Sequence, residues 1–526
     1  MTQNEPMSRP EPGRRTTPSG VARRWGDRME EGHEPFDLAT AFAAFAIFTG
    51  FAGDFWRNLL TWWGFGVIVV LVFVAAVILF VRRRPPLRFS HLPAPLVLFV
   101  AWCTISVAWS AYRPETLLGS AAQLITAFVG LTIAVTVSKV RVLRALSIAM
   151  RAIVGLSLVF ELIVALFFPK GVLPLYMLLP GALDSLSGIP GATIDTVPGG
   201  FKWSQGHLFS NAAIQGIVGN RNLLAMVALL CIIAVAVQLG AGQLKRWQGI
   251  AWLATAVVTL ALCRSMTAFA AFGIVAFAYL LVRIARPLPN SLRWIMYGIV
   301  GTLMVIGVSF VVLFNNELFA LINRSSDMSG RGDIWWAVSQ IARDHWVVGL
   351  GWVSYWAPWV EPFSDLQVVD GITYLQAHNA YIDAWMQVGV IGAGLLVALM
   401  LSTLVRSWWL AIDRPQYGAD DGFRIPPTAV LAFLVTVALA VQSLTESRLL
   451  IEGNWLLMCY FAIYSKLRIQ DLPALPRRTL PDHTGPIMTI GQRPLLPATL
   501  ELPVPEHPNA APGKPGGRAP QAPSGG

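Results

Sequence analysis

The sequence predicts an all-α, polytopic integral membrane protein of about twelve transmembrane helices with a large outer loop. Three observations carry this. Only 13% of the 526 residues are charged, against about 25% in soluble domains. Hydrophobic residues make up 55% of the chain and mean hydropathy is +0.58. The apolar residues fall in repeated runs near the roughly 20 residues that a spanning helix needs, with basic residues collected in alternate connections.

The runs lie near residues 37–53, 59–81, 93–111, 117–138, 145–168, 213–240, 249–264, 266–282, 294–314, 380–405, 428–446 and 454–465. Their unbroken apolar character excludes the alternating pattern of a barrel strand, so each is predicted helical. Orientation follows from charge. The N-terminus to residue 35, the connections Arg82–Arg88, Lys139–Arg144, Lys245–Arg246, Arg283–Arg293 and Arg406–Arg424, and the tail from Lys466 hold 28 of the 39 Lys and Arg residues. By the positive-inside rule these segments are cytoplasmic, which puts both termini inside. The net charge of +10 therefore points to membrane lipids and not to nucleic acid.

Residues 1–35 are charged and Pro-rich, and 467–526 are rich in Pro, Gly and Ala. Both are expected to be disordered cytoplasmic segments flanking a membrane domain over 36–466. The first apolar run follows the charged segment and reads as a retained anchor, not a cleaved signal. Cys103, Cys231, Cys263 and Cys459 lie in or beside apolar runs and read as small hydrophobes.

Two outer connections are long, about 169–212 and 315–379. The second holds Trp335, Trp336, Trp346, Trp352, Trp356 and Trp359. These rings either stack on sugars or sit at the membrane interface. The same loop contains Arg324 and Arg331, which share a face if the segment is helical, and it ends in Gln376-Ala377-His378-Asn379 before an apolar helix. An arginine fork matches phosphate oxygens, and an imidazole can take a proton from a hydroxyl at neutral pH. The residues thus suggest a site for a phosphate-bearing, lipid-embedded donor and a hydroxyl acceptor. Solvated loop charges at the two arginines and a helix cap at His378-Asn379 are the alternative reading.

The motifs resemble the O-antigen ligase and polymerase superfamily across residues 95–465. Arg324 and Ser329-Gly330-Arg331 with Trp335 are similar to its R…SGR…W stretch, and Gly349-Leu350-Gly351-Trp352 to its following G-x-G element. His378-Asn379-Ala380-Tyr381 with Gly389 and Gly392 resembles its HN…GxxG signature. Gly216 with Asn220 and Asn222, Trp109-Ser110 with Pro114, and Glu446-Ser447 match three further elements. One element departs. Where the family carries a basic residue this chain has Met266, with Arg264 two residues earlier; two residues turn a helix by about 200°.

The resemblance implies a GT-C-like architecture in a bacterial inner membrane. It also implies a metal-independent, inverting glycosyl transfer that needs no cofactor. The donor would be a glycan on polyprenyl (undecaprenyl) diphosphate. The acceptor would be lipid A core, a growing polysaccharide or a protein hydroxyl, with polysaccharide assembly proteins as possible partners. His378 would be the base and Arg331 the leaving-group cation, with Arg324 or Arg264 beside it. Arg221, Asn222, Trp335, Asn379 and Glu446 complete the expected substrate-binding set.

A transporter is the main rival, and a non-catalytic scaffold of polysaccharide export is the other. A transporter needs charges along a path through the bilayer. Arg151 and Glu161 fall within one run and little else does, and a packed ion pair is the alternative reading of both.

Overall fold

The computed structural model describes residues 36–314, 331–412 and 427–470, apart from 365, 367, 370, 371 and 374. All of them lie in one compact unit. Every apolar run identified in the sequence overlaps a helix. The helices are α1 Leu38–Phe51, α2 Gly53–Arg83, α3 Ala94–Ile105, α4 Arg113–Thr136, α5 Lys139–Phe167, the short α6 Ala182–Ser187, and α7 Arg221–Gly240. They continue with α8 Arg246–Cys263, α9 Met266–Ala285, α10 Asn290–Leu313, α11 Arg331–Asp344, α12 Ala380–Ile412, α13 Leu431–Ser443 and α14 Glu452–Gln470. Seven of them, α2, α4, α5, α7, α8, α9 and α12, are long and apolar enough to cross a membrane. Leu38–Phe51, Ala94–Ala108 and Pro427–Ser443 are shorter apolar helical segments. By length and composition the described helices therefore give fewer crossings than the dozen expected. The chain is a multi-pass membrane protein.

Burial separates centre from rim. The apolar window of α7 is 78% buried, against 11% for α2. Helix α7 packs on α5, α8 and α13, and α14 packs on α1, α4 and α12. Start signals are local: Asp37 caps α1, Ser138 caps α5, Asn220 caps α7 and Ser265 caps α9, each with a side-chain oxygen on a first-turn N–H. The run expected from 213 becomes helical only at 221. Glu161 explains this. Its buried carboxylate accepts from Gln215 N at 2.9 Å, Gly216 N at 2.7 Å and Ser204 Oγ at 2.9 Å, holding 213–216 out of the helix. Glu161 is therefore not paired with Arg151 as expected. The Arg151 guanidinium instead stands 5.7 Å from the Trp252 ring.

Residues 169–212 fold over a small core of Leu173, Met177 and Val197, closed by an antiparallel bridge between Val172 and Ser204. The second long connection carries α11 and a two-residue hairpin, with Val368 opposite Thr373 and Val369 opposite Ile372. Its tryptophans split. Trp352 and Trp356 are 0% and 1% exposed, so these two are core and fit neither expected reading. Trp336, Trp346 and Trp359 are exposed.

The glycine-bearing motifs lock this connection to α12. The helix breaks at Val388 and Gly389. Its interrupted carbonyls are taken up by Leu350 N on Met386 O at 3.0 Å, Gly351 N on Gln387 O at 2.8 Å and Trp102 Nε1 on Val388 O at 2.9 Å. Gly389 has φ +68°, and a Cβ there would lie 2.0 Å from Val347 O. Gly389→Ala should therefore lose about 2 kcal/mol or more of stability, from left-handed strain plus overlap. Thermal unfolding of the detergent-solubilised variant checks this, and a transition at the wild-type temperature would refute it.

Candidate functional site

The centre of the site is Glu446, in the turn after α13. Its side chain is 5% exposed and accepts four hydrogen bonds. Oε1 receives Asn222 Nδ2 at 2.9 Å and Arg331 NH2 at 3.1 Å. Oε2 receives His378 Nδ1 and Gln376 Nε2, each at 3.0 Å. Residues from the starts of α7, α11 and α12 and from the turn after α13 thus meet on one carboxylate.

Each partner is placed by its own backbone. Asn220 caps α7 through Asn222 N and Leu223 N, which sets Asn222 in the first turn. Its Oδ1 accepts from Ser265 Oγ at 2.9 Å, tying in the start of α9. Arg331 and Trp335 are one turn apart on α11, so they share a face; Trp335 Nε1 donates to Ala377 O at 2.9 Å. Asn379 caps α12, accepting from Tyr381 N at 2.9 Å and Ile382 N at 3.2 Å, and its Nδ2 donates to Leu444 O at 3.2 Å. The helix-cap reading of the His378-Asn379 pair thus holds for Asn379, while His378 turns to Glu446. His378 has φ +51°, a left-handed conformation that is costly outside glycine and concentrates at functional sites.

Burial pushes the Glu446 carboxyl upward. The His378 hydrogen bond and charge, with Arg331 and Arg448, lower it by more, so it rests below the ordinary glutamate value. It is therefore ionised at neutral pH and can only accept. The Nδ1 of a neutral His378 must then carry the proton, which makes Nε2 the acceptor. Linkage gives a sign. A depressed folded pKa contributes stability above the unfolded value of about 4.3 that is lost as pH falls. The stability advantage of wild type over Glu446→Gln should accordingly be present at pH 6 and fade below about pH 4. Thermal unfolding against pH measures it, and an advantage that grows on acidification would contradict the sign.

Other expected residues are elsewhere. Arg264, in a left-handed conformation at the end of α8 (φ 49°), is exposed and donates from NH1 to Asn211 O at 2.8 Å and from NH2 to Asn211 Oδ1. It adjoins Ser265 but makes no contact with Glu446. Arg221 opens α7 and is exposed. Arg324, Ser329 and Gly330 lie outside the described residues. A crevice lined by Asn222, Ser265, Thr267, Gln442 and Glu446 opens between α7, α9 and α13. Sequence reasoning gave no role to Gln376 or Ser265. Gln376 could have been found from its place two residues before His378.

The fold and site define a multi-pass membrane protein with a polar centre where helix ends meet. Residues 249–397 match the family described as O-antigen ligase, and the chain carries a domain of that family. The match includes Arg264, Arg331, Trp335, His378 and Asn379, and excludes Asn222 and Glu446. Among curated proteins, none matches the chain.

Proposed function

We propose that the chain is an inverting, metal-independent glycosyltransferase of the bacterial inner membrane. It moves a glycan from polyprenyl diphosphate to a hydroxyl of lipid A core or of a growing polysaccharide. The observation that carries this is the single carboxylate of Glu446 holding both an imidazole and a guanidinium. His378 Nε2 takes the proton of the acceptor hydroxyl as its oxygen bonds to the anomeric carbon. The bond from that carbon to the phosphate oxygen breaks, and polyprenyl diphosphate leaves with its charge neutralised by Arg331. Electrostatic stabilisation of this kind is commonly the largest catalytic contribution. Glu446 is not a ligand for the anionic donor. It fixes the His378 tautomer and holds the Arg331 fork.

Arg264 is proposed as a cation at the rim, one residue from Ser265. Arg264→Ala should slow transfer by about tenfold, the loss of one charge-assisted bond. Equal damage to that from Arg331→Ala would instead make it a direct partner of the leaving group. The proposal as a whole is tested with purified protein, lipid-linked donor and acceptor in the presence of chelator. Sugar transfer is the expected result; transfer that stops on chelation and returns with a divalent cation would overturn the metal-independent mechanism.

A further inference from the structure

A second charged cluster lies beside the first and has no part in the chemistry above. Arg57 in the first turns of α2 donates to Asp54 Oδ1 and to Glu452 Oε1, each at 2.5 Å. Arg448 stands 3.7 Å from Asp54 Oδ2 and 3.7 Å from Glu452 Oε2. Two arginines and two carboxylates make a balanced set, which gives an anionic diphosphate no net attraction. Arg448 is two residues from Glu446 and helps to lower its pKa, so the clusters adjoin.

Both long connections send a tyrosine here. The Tyr355 phenol lies within electrostatic range of Arg448, Asp54, Arg57 and Glu452. Tyr176 is pushed up to about 12 by burial and by Asp54. Trp62 and Phe65 cover the Arg57 guanidinium, with centroids at 5.1 and 4.8 Å, and Trp62 keeps 57% exposure. Stability alone does not account for such a set, since buried ion pairs add little over apolar packing of the same volume. Exposure is also uneven. The Asp54 and Glu452 side chains are 26% and 24% exposed, against 9% and 11% for Arg57 and Arg448. The two acidic side chains are thus the more accessible members of the cluster.

Neutral overall charge, accessible carboxylates braced by arginines, phenols and an exposed indole are the chemistry that takes sugar hydroxyls and sugar faces. We propose that Asp54, Arg57, Arg448 and Glu452, with Tyr176, Tyr355 and Trp62, form a subsite for the acceptor glycan. This rests on the transferase reading and adds where the acceptor is held.

The test uses the full chain in lipid nanodiscs. The probes are oligosaccharides released by mild acid from the source cell's own surface glycans, separated into core and polymer fractions, with inorganic pyrophosphate as the contrasting ligand. Wild type should bind one fraction, and which one identifies the acceptor source. Asp54→Asn and Glu452→Gln should weaken that binding about tenfold or more without weakening pyrophosphate binding. Tyr355→Phe removes only a hydroxyl and should weaken it several-fold, so it decides the matter should the carboxylate variants misfold. Binding of neither fraction by wild type, or unchanged binding in Tyr355→Phe, would overturn the subsite. Pyrophosphate binding that survives Arg331→Ala would count against the transferase reading instead.

Discussion

His378→Ala is expected to lose glycan transfer by about 10²–10⁴-fold, the range for removal of a general base, while the polyprenyl-linked donor accumulates. His378→Gln should be nearly as inactive. Its amide can still bond to Glu446 but cannot take up the hydroxyl proton. The measurement is single-turnover transfer by purified protein with lipid-linked donor and acceptor. Both variants at wild-type rate would remove His378 from the reaction. Purified wild type that moved a solute across liposomes and transferred no sugar would replace the enzyme with a transporter.

Arg331→Ala is the second large effect. Removing the guanidinium takes away the charge proposed to neutralise the diphosphate, and it leaves Glu446 with one donor fewer. A loss of about 10²–10³ in rate is expected, comparable to deletion of one oxyanion-hole donor. Arg331→Lys should recover little of it. A lysine supplies a point charge without the planar fork that can hold a carboxylate and a phosphate oxygen together. Membrane abundance should stay near wild type, because α11 is anchored independently by Ile334, Val338 and Ala342 in a buried cluster with Trp356 and Phe363. Full activity in Arg331→Ala would make this residue an ordinary charge of the outer connection.

The helices were legible because each satisfies its backbone within itself and shows its apolar run directly. The exceptions have named causes. Residues 213–220 read as part of a run because they are mostly apolar, but Glu161, more than 50 positions earlier, takes the amides of Gln215 and Gly216. Trp352 and Trp356 read as surface aromatics because a loop carries them, yet the break in α12 at Gly389 pulls that loop into a core. Local patterning has no access to either event.

The sequence by itself determined the membrane class, the helix positions and four of the residues that meet at the site: His378, Arg331, Asn222 and Glu446. Composition, hydrophobic runs and motif order are all local, and a linear reading captures them. Only the tertiary structure decided how those residues relate. It put the carboxylate at the centre, assigned the cap to Asn379 and the hydrogen bond with Glu446 to His378, and drew Arg264 to Asn211. It also joined Asp54, Arg57, Arg448 and Glu452 from helices nearly 400 positions apart in the chain. A charge spreads its influence through space, and its partners are whatever the packing brings within a few ångströms.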